Sequence, residues 1–259
     1  MNKNSFKHSG TLGDLIYALS VVQHLGGGDF YLHMNQIDYL SQRYYGVNAP
    51  VFHAGRMNVR DFEFMKDFMR TQSYITKFEP MDPRTAEITH NLDRFRDLFV
   101  RHPGNYVDCY ADMLNITDDT VKRNLRNTAW LDVPSTIEIP GRDVVINRTL
   151  RWVPQQLSPI WQDWQEQGVE QRAVFVGLGD EYAAFCQATG WDIPYRPTET
   201  LLEVAQLIAG AKVFIGNQSA ALAVALGLGH TDIWCEGRRD LPMERNECYF
   251  PLRPGLHYF

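Results

Sequence analysis

The chain has 259 residues, with 25 Lys and Arg against 31 Asp and Glu, 44% hydrophobic and 22% charged residues, and a formal net charge of −6. That composition excludes a disordered or low-complexity chain, and no run approaches the 18 apolar residues of a membrane span. The acidic balance excludes a histone-like nucleic-acid binder, though not an enzyme with one local basic groove.

In chain order, Ser5–His8 reads as a short strand and Ser9-Gly10-Thr11-Leu12-Gly13-Asp14 as a loop. Leu15, Ile16, Leu19, Val22 and Leu25 then recur at helical spacing, and Gly26-Gly27-Gly28 closes the helix. Phe30–Met34 is the next expected strand, and Val59, Phe62, Phe64, Met65, Phe68 and Met69 place a helix within 58–73. Between 74 and 135 the pattern is weaker; helices are expected near 91–101 and 106–115 with loops between. Pro134 and Pro140 flank a linker, which puts the domains at 1–139 and 140–259. The tail from about 240 is expected to pack back on the first domain.

In the second half, strands are expected at Asp143–Ile146, Ala173–Gly177, Lys212–Gly216 and, last, Thr231–Cys235. Helices are expected at Pro159–Gly168, Asp180–Thr189, Glu199–Ala209 and Gln218–Leu228. This alternation predicts an α/β chain, two Rossmann-like parallel-sheet halves facing a cleft. Charge divides along the same line. Residues 1–127 hold 15 basic and 15 acidic side chains, whereas 128–259 hold 10 and 16, so the negative surplus falls in the second half. Chance alone produces such an asymmetry about as readily as two functional surfaces do.

Ligands of such sheets bind beyond the carboxyl ends of the strands, at helix N-termini. Two loops fit: Gly10–Asp14, and Gly216-Asn217-Gln218-Ser219. Each also reads simply as a turn and helix cap. No GxGxxG, P-loop, GxSxG, HExxH or DxD pattern occurs, which weighs against dehydrogenases, P-loop kinases, α/β-hydrolases and metal-bridged diphosphate sites. The first loop also lacks the glycine pattern of a methyltransferase. Asp14 opens a helix beside a glycine turn, where a carboxylate serves as a general base or simply stabilises the helix terminus. Arg148 and Arg151 follow the first strand of the second half, where guanidinium groups neutralise a diphosphate or sit as ordinary surface charges.

Three segments together resemble the ADP-heptose:lipopolysaccharide heptosyltransferase group of glycosyltransferases: Ser9–Leu19, Val145–Thr149, and Ala211–Ser219 with the Ala/Leu helix that follows. The resemblance implies a GT-B fold in a compact chain, like those of phages and bacterial sugar clusters. It implies Asp14 as catalytic base and a nucleotide-sugar donor held mainly by the second half. Donor contacts are then expected at Gly10, Thr11, Gly13, Asn147, Arg148, Arg151, Asn217, Gln218 and Ser219, with Asp180 or Glu181 on the ribose. The chain departs from the group's pattern at Ser20 (usually Pro), Gln218 (usually Asp), Ala220 (usually Gly) and Ala223 (usually His). The expected activity is inverting, metal-independent glycosyl transfer without a cofactor. Epimerisation or hydrolysis of a nucleotide sugar, or binding without turnover, are the alternatives.

The acceptor is expected on the first half, a saccharide or a hydroxymethylated base in DNA. The DNA reading rests on Arg56, Arg60, Lys66, Arg70, Arg94, Arg96, Arg101, Lys122, Arg123 and Arg126 interleaved with aromatics. Neighbouring Asp61, Glu63, Asp67, Asp93 and Asp97 offer ion-pair partners for the same residues. Four well-separated cysteines and an N-terminus without an apolar stretch suggest the cytoplasm.

Overall fold

The computed structural model describes residues 3–34, 57–99, 105–154, 156–237 and 253–259. Its strands form two parallel sheets. The first has the order β3-β2-β1-β4, built from β1 (Ser5–His8), β2 (Gly28–Leu32), β3 (Ile75–Pro80) and β4 (His90–Asn91). The second has the order β10-β9-β8-β5-β6-β7, built from β5 (Val144–Asn147), β6 (Ala173–Val176), β7 (Tyr195–Arg196), β8 (Val213–Asn217), β9 (Ile233–Glu236) and β10 (Leu256–Tyr258). The second order is the doubly wound dinucleotide-fold arrangement, three strands on either side of a reversal between β5 and β8. The first sheet reverses likewise between β1 and β4.

Sequence explains the central elements. Every residue of β5 and β6 is buried, as apolar runs covered on both faces require. Helix α1 (Leu12–His24) buries Leu15, Ile16, Leu19 and Val22 and ends in a turn where Gly26 and Gly27 take left-handed φ of 84° and 71°. A Cβ on Gly27 would run into the Tyr74 carbonyl, so that turn needs glycine on two counts. Gly28 is already the first residue of β2. Helices Val59–Thr71 and Tyr106–Met113 stand where the periodicity places them.

The structure adds what the pattern hides. β3, β4, β7 and β10 and the helix Asp119–Asn127 were not expected. β3 is an edge strand whose Thr76, Lys77, Glu79 and Pro80 are exposed; an edge tolerates these residues where a central strand would not. Asp119–Asn127 buries no residue. The expected helix at 91–101 is a 3₁₀ turn, Leu92–Arg94, followed by Phe95–Phe99. β9 is not the last strand, because β10 pairs with it in parallel. The tail at 253–259 joins the second sheet through β10, and Arg253 donates both to the Asn127 carbonyl of the first half (3.4 Å) and to the Leu226 carbonyl of the second (2.6 Å); 238–252 lie outside the described residues.

The two halves share one continuous hydrophobic core. The Ala220–Gly227 helix is buried at seven positions and packs on α1, while Val59–Thr71 packs on Leu201–Gly210. Trp130 ties them: its indole donates to the Ile16 carbonyl (3.0 Å) and its backbone N–H to the Gly227 carbonyl (2.8 Å). A separate aromatic cluster of Trp161, Trp164, Phe185 and Trp191 fills part of the second half.

Candidate active site

The residues singled out in the sequence gather at the carboxyl ends of β1, β5, β6 and β8, the places that strand reversal opens to ligands.

On the first sheet the chain leaves β1 at His8, turns through Ser9 and Gly10, and enters α1 at Thr11. Asp14 lies in the first turn of α1 with 15% of its side chain exposed. Its Oδ2 accepts from the Thr11 N–H (3.3 Å) and from Arg96 Nη2 (3.1 Å). Arg96 also pairs with Asp93 (3.5 Å), which in turn accepts from the Ser9 N–H (2.7 Å) and pairs with Lys7 (3.2 Å). Asp93 and Arg96 follow β4, so both strands at the reversal contribute.

His8 is fully buried. Its Nδ1 accepts from the Gly10 N–H at 2.8 Å, so the ring proton is on Nε2 and is donated to the Tyr110 hydroxyl, also at 2.8 Å. Tyr110 donates onward to the Asp14 carbonyl (3.0 Å). Burial, with the Arg96 and Lys7 charges adding to it against the pull of Asp93 and Asp14, brings the His8 pKa down to about 4, which keeps this tautomer neutral. Gly10 is needed here: a Cβ would collide with Arg96 and His8.

On the second sheet the polar groups are mostly amides and hydroxyls. Asn217, fully buried at the end of β8, accepts from the Thr149 N–H (2.9 Å) and donates to the Thr149 carbonyl (2.8 Å). It therefore pins the β5 loop to the β8 loop. Asn147 donates to the Val176 carbonyl (2.7 Å) and accepts from the Ser219 hydroxyl (3.0 Å). Ser219 caps the Ala220–Gly227 helix by accepting from the Leu222 N–H (3.2 Å). Gln218 beside it is half-buried. Gly177 separates Asn147 from Glu181, and a Cβ there would stand 3.0 Å from Asn147 Nδ2 and 2.9 Å from Glu181 Oε2. Glu181 accepts from the Leu178 N–H (2.9 Å), and burial raises its pKa. Asp180 is exposed and accepts from the Glu181 N–H (3.0 Å).

The two arginines part company. Arg151 is exposed in the turn Leu150–Trp152. Arg148 is buried: its Nε and Nη2 meet both oxygens of Glu236 (2.6 and 3.4 Å), and the Trp161 indole donates to that carboxylate at 2.9 Å. The Nε–Nη2 edge of Arg148 is thus committed to the protein and is not offered to a diphosphate.

The two edges meet. Gly13, in the first turn of α1, stands against the start of the Ala220–Gly227 helix, where an added Cβ would lie 3.8 Å from Ala220 Cα. Two helix N-termini, whose first N–H groups have no intrahelical acceptor, therefore converge next to Asp14. Among the described residues no group of three or more His, Cys, Asp or Glu is placed to hold a metal ion, and no helix is long and apolar enough to cross a membrane.

Sequence reading did not assign His8, Asp93, Tyr110 or Glu236 to this site. Arg96 entered only as one of a basic set. The available signal was positional: Asp93 and Arg96 sit just past a strand at the reversal, but β4 is two residues long.

No protein-family model matches the sequence, and no curated protein matches it. Solved structures do. The chain is similar to the glycosyl transferase family 9 protein from Veillonella parvula, with TM-score 0.59 at 11% identity over 99% of this chain and 85% of that one. It is also similar to the dodecameric iron-containing heptosyltransferase TibC in complex with ADP-D-beta-D-heptose, with TM-score 0.52 at 18% identity over 96% of this chain and 61% of that one. The fold is therefore heptosyltransferase-like GT-B.

Proposed function

We propose that this chain is an inverting glycosyltransferase that moves a sugar from a nucleotide-diphosphate sugar to an acceptor hydroxyl. The observation that carries the reading is the convergence of Asp14, on the first sheet's reversal, with the N-terminus of the Ala220–Gly227 helix, on the second's. Through Gly13, the turn that carries the base lies against a helix N-terminus able to hold an anion, the pair of groups that displacement at an anomeric carbon demands.

In this reading the nucleotide sugar lies on the second half, its diphosphate at the Gln218–Ala220 turn and its ribose near Glu181. Asp14 takes the proton of the acceptor hydroxyl. The acceptor oxygen attacks the anomeric carbon, and the bond from that carbon to the diphosphate breaks, its electron pair leaving with the phosphate oxygen. The helix N–H groups and Arg151 meet the growing negative charge. Arg148 shapes the floor through Glu236 rather than binding phosphate. The reaction as drawn needs no cofactor and no metal, and excess EDTA should leave the rate unchanged.

The acceptor reading favoured here is a saccharide rather than DNA. Lys66 pairs with Glu63 (3.1 Å), Arg126 with Asp108 (2.6 Å), Lys122 with Asp112, and Arg96 with Asp14 and Asp93. Much of the basic set is thus neutralised locally. Arg60, Arg70, Arg94 and Arg123 are exposed, and Arg56 and Arg101 lie outside the described residues. Binding of duplex DNA at low salt would overturn this choice of acceptor.

A thermal-shift screen of ADP-, UDP-, GDP- and dTDP-sugars tests the donor, since a ligand of the native state raises the melting temperature. Asp14→Asn should retain that shift and lose about 10²–10⁴-fold in turnover. No shift with any donor, or near wild-type turnover by Asp14→Asn, would overturn the reading. Isomerised or hydrolysed donor formed at full rate without acceptor would redirect it to an epimerase or hydrolase.

A further inference from the structure

Asp14 has two carboxylate oxygens, and the structure treats them differently. Every hydrogen bond it accepts among the described residues falls on Oδ2, from the Thr11 N–H and Arg96 Nη2. Oδ1 takes none. We propose that Arg96 is a positioning residue: it fixes Oδ2 of Asp14 and so presents Oδ1 as the oxygen that receives the acceptor's proton. This rests on Asp14 being the base.

Arg96 is built for that task. Its guanidinium carbon lies 4.9 Å from the Phe95 ring centroid. Its Nη1 is turned to Asp93 Oδ1 (3.5 Å) while Nη2 turns to Asp14 (3.1 Å), so two carboxylates from different elements hold one planar group by two of its corners. A fork of this kind cannot swing without losing both contacts. Asp93 is itself fixed by the Ser9 N–H and Lys7. Room for the guanidinium exists because position 10 is glycine. The backbone of Asp14 is held separately, by Tyr110 on its carbonyl. Side chain and main chain are thus located by independent partners, leaving one oxygen of the carboxylate uncommitted. The side chains of the pair are 15% and 14% exposed, so the carboxylate is not sealed from solvent.

The test compares wild type, R96Q, R96K and D14N with the nucleotide-sugar donor found in the thermal screen, following release of nucleoside diphosphate. R96Q should lower kcat about 10–100-fold, the size of effect that a misplaced reacting group produces, with donor KM within twofold of wild type. R96K should recover part of the loss, because an ammonium restores one of the two contacts. Wild-type kcat in R96Q overturns the proposal. So does a loss confined to KM, which would make Arg96 a substrate contact. Where R96Q fails to fold, R96K decides: a kcat below wild type with unchanged donor KM supports the proposal, and wild-type kcat overturns it. The underlying reading fails separately. If D14N turns over normally, Asp14 is not the base whatever Arg96 does; if D14N is inactive and R96Q normal, only the role of Arg96 falls.

Discussion

The carboxyl edges of the two sheets are built from different materials. At the first edge the side chains are ionic and partly open: Asp14, Arg96, Asp93 and Lys7 form one chain of charges. At the second the loops after β5 and β8 are held to one another by neutral contacts: Asn147, Asn217, Thr149 and Ser219 bond one another and the backbone. The Arg148–Glu236 ion pair beside that edge is sunk out of reach, at 6% and 0% side-chain exposure. A proton acceptor needs a charge that can be met by substrate. A docking surface for an anion needs N–H groups held in a fixed shape, which amides and hydroxyls supply without adding charge of their own. In the proposed reaction, this difference suits the first edge to chemistry and the second to recognition.

The sharpest way to break this contrast is to remove the charge at the second edge. Glu236→Ala leaves the Arg148 guanidinium buried beside an indole N–H with no carboxylate. Breaking a buried pair in this way costs about 3–5 kcal/mol, readable in urea unfolding. Replacing both partners with apolar residues should cost clearly less, because no uncompensated charge remains. If Glu236→Ala instead leaves stability intact and abolishes donor binding, the pair belongs to recognition and the contrast collapses.

Protonation separates the edges next. His8 is held neutral in the folded chain, with its pKa brought from 6.5 to about 4 chiefly by burial. An unfolded chain binds that proton near pH 6.5 and the native one does not. The native state is therefore fully favoured above pH 6.5 and loses stability as pH falls towards 4. Between pH 7 and 5 this amounts to about 2 kcal/mol from His8. His8→Gln should flatten that part of the pH dependence in urea unfolding, and an unchanged slope would show that His8 titrates normally. Among the described residues the Asn147–Ser219 network is held by amides, hydroxyls and the backbone.

These two cases also show what a sequence discloses. α1, the Val59–Thr71 helix and β5, β6 and β8 were legible because burial imposes its period, or a continuous apolar run, on local sequence. β3 and β10 were not, because an edge strand needs little apolar sequence to pair. Asp14 was visible from its glycine turn and helix start. Its partner Arg96 stands 82 residues away, and Glu236 stands 88 residues from Arg148. Ion pairing at that separation leaves no local trace, so Arg148 read as a free cation and Arg96 as one basic residue among ten.

The smallest expected effect tests the neutral edge most directly. Ser219 and Thr200 both cap helices of the second half, accepting from the Leu222 and Glu203 N–H groups at 3.2 Å each. Each Ser→Ala or Thr→Ala change should cost about 1 kcal/mol of stability through the lost cap. Their consequences for ligand should differ. The Ser219 hydroxyl also donates to Asn147, and its helix begins against Gly13 at the cleft. The Thr200 helix starts elsewhere, and its carboxylate Glu203 returns to the backbone of Glu199 and Thr200. Ser219→Ala should therefore weaken the melting shift produced by a nucleotide sugar, whereas Thr200→Ala should lower the melting temperature and leave the shift intact. Equal loss of shift in both would mean that the second edge senses overall stability rather than its own geometry, and that the Ala220–Gly227 terminus is not where the diphosphate lies.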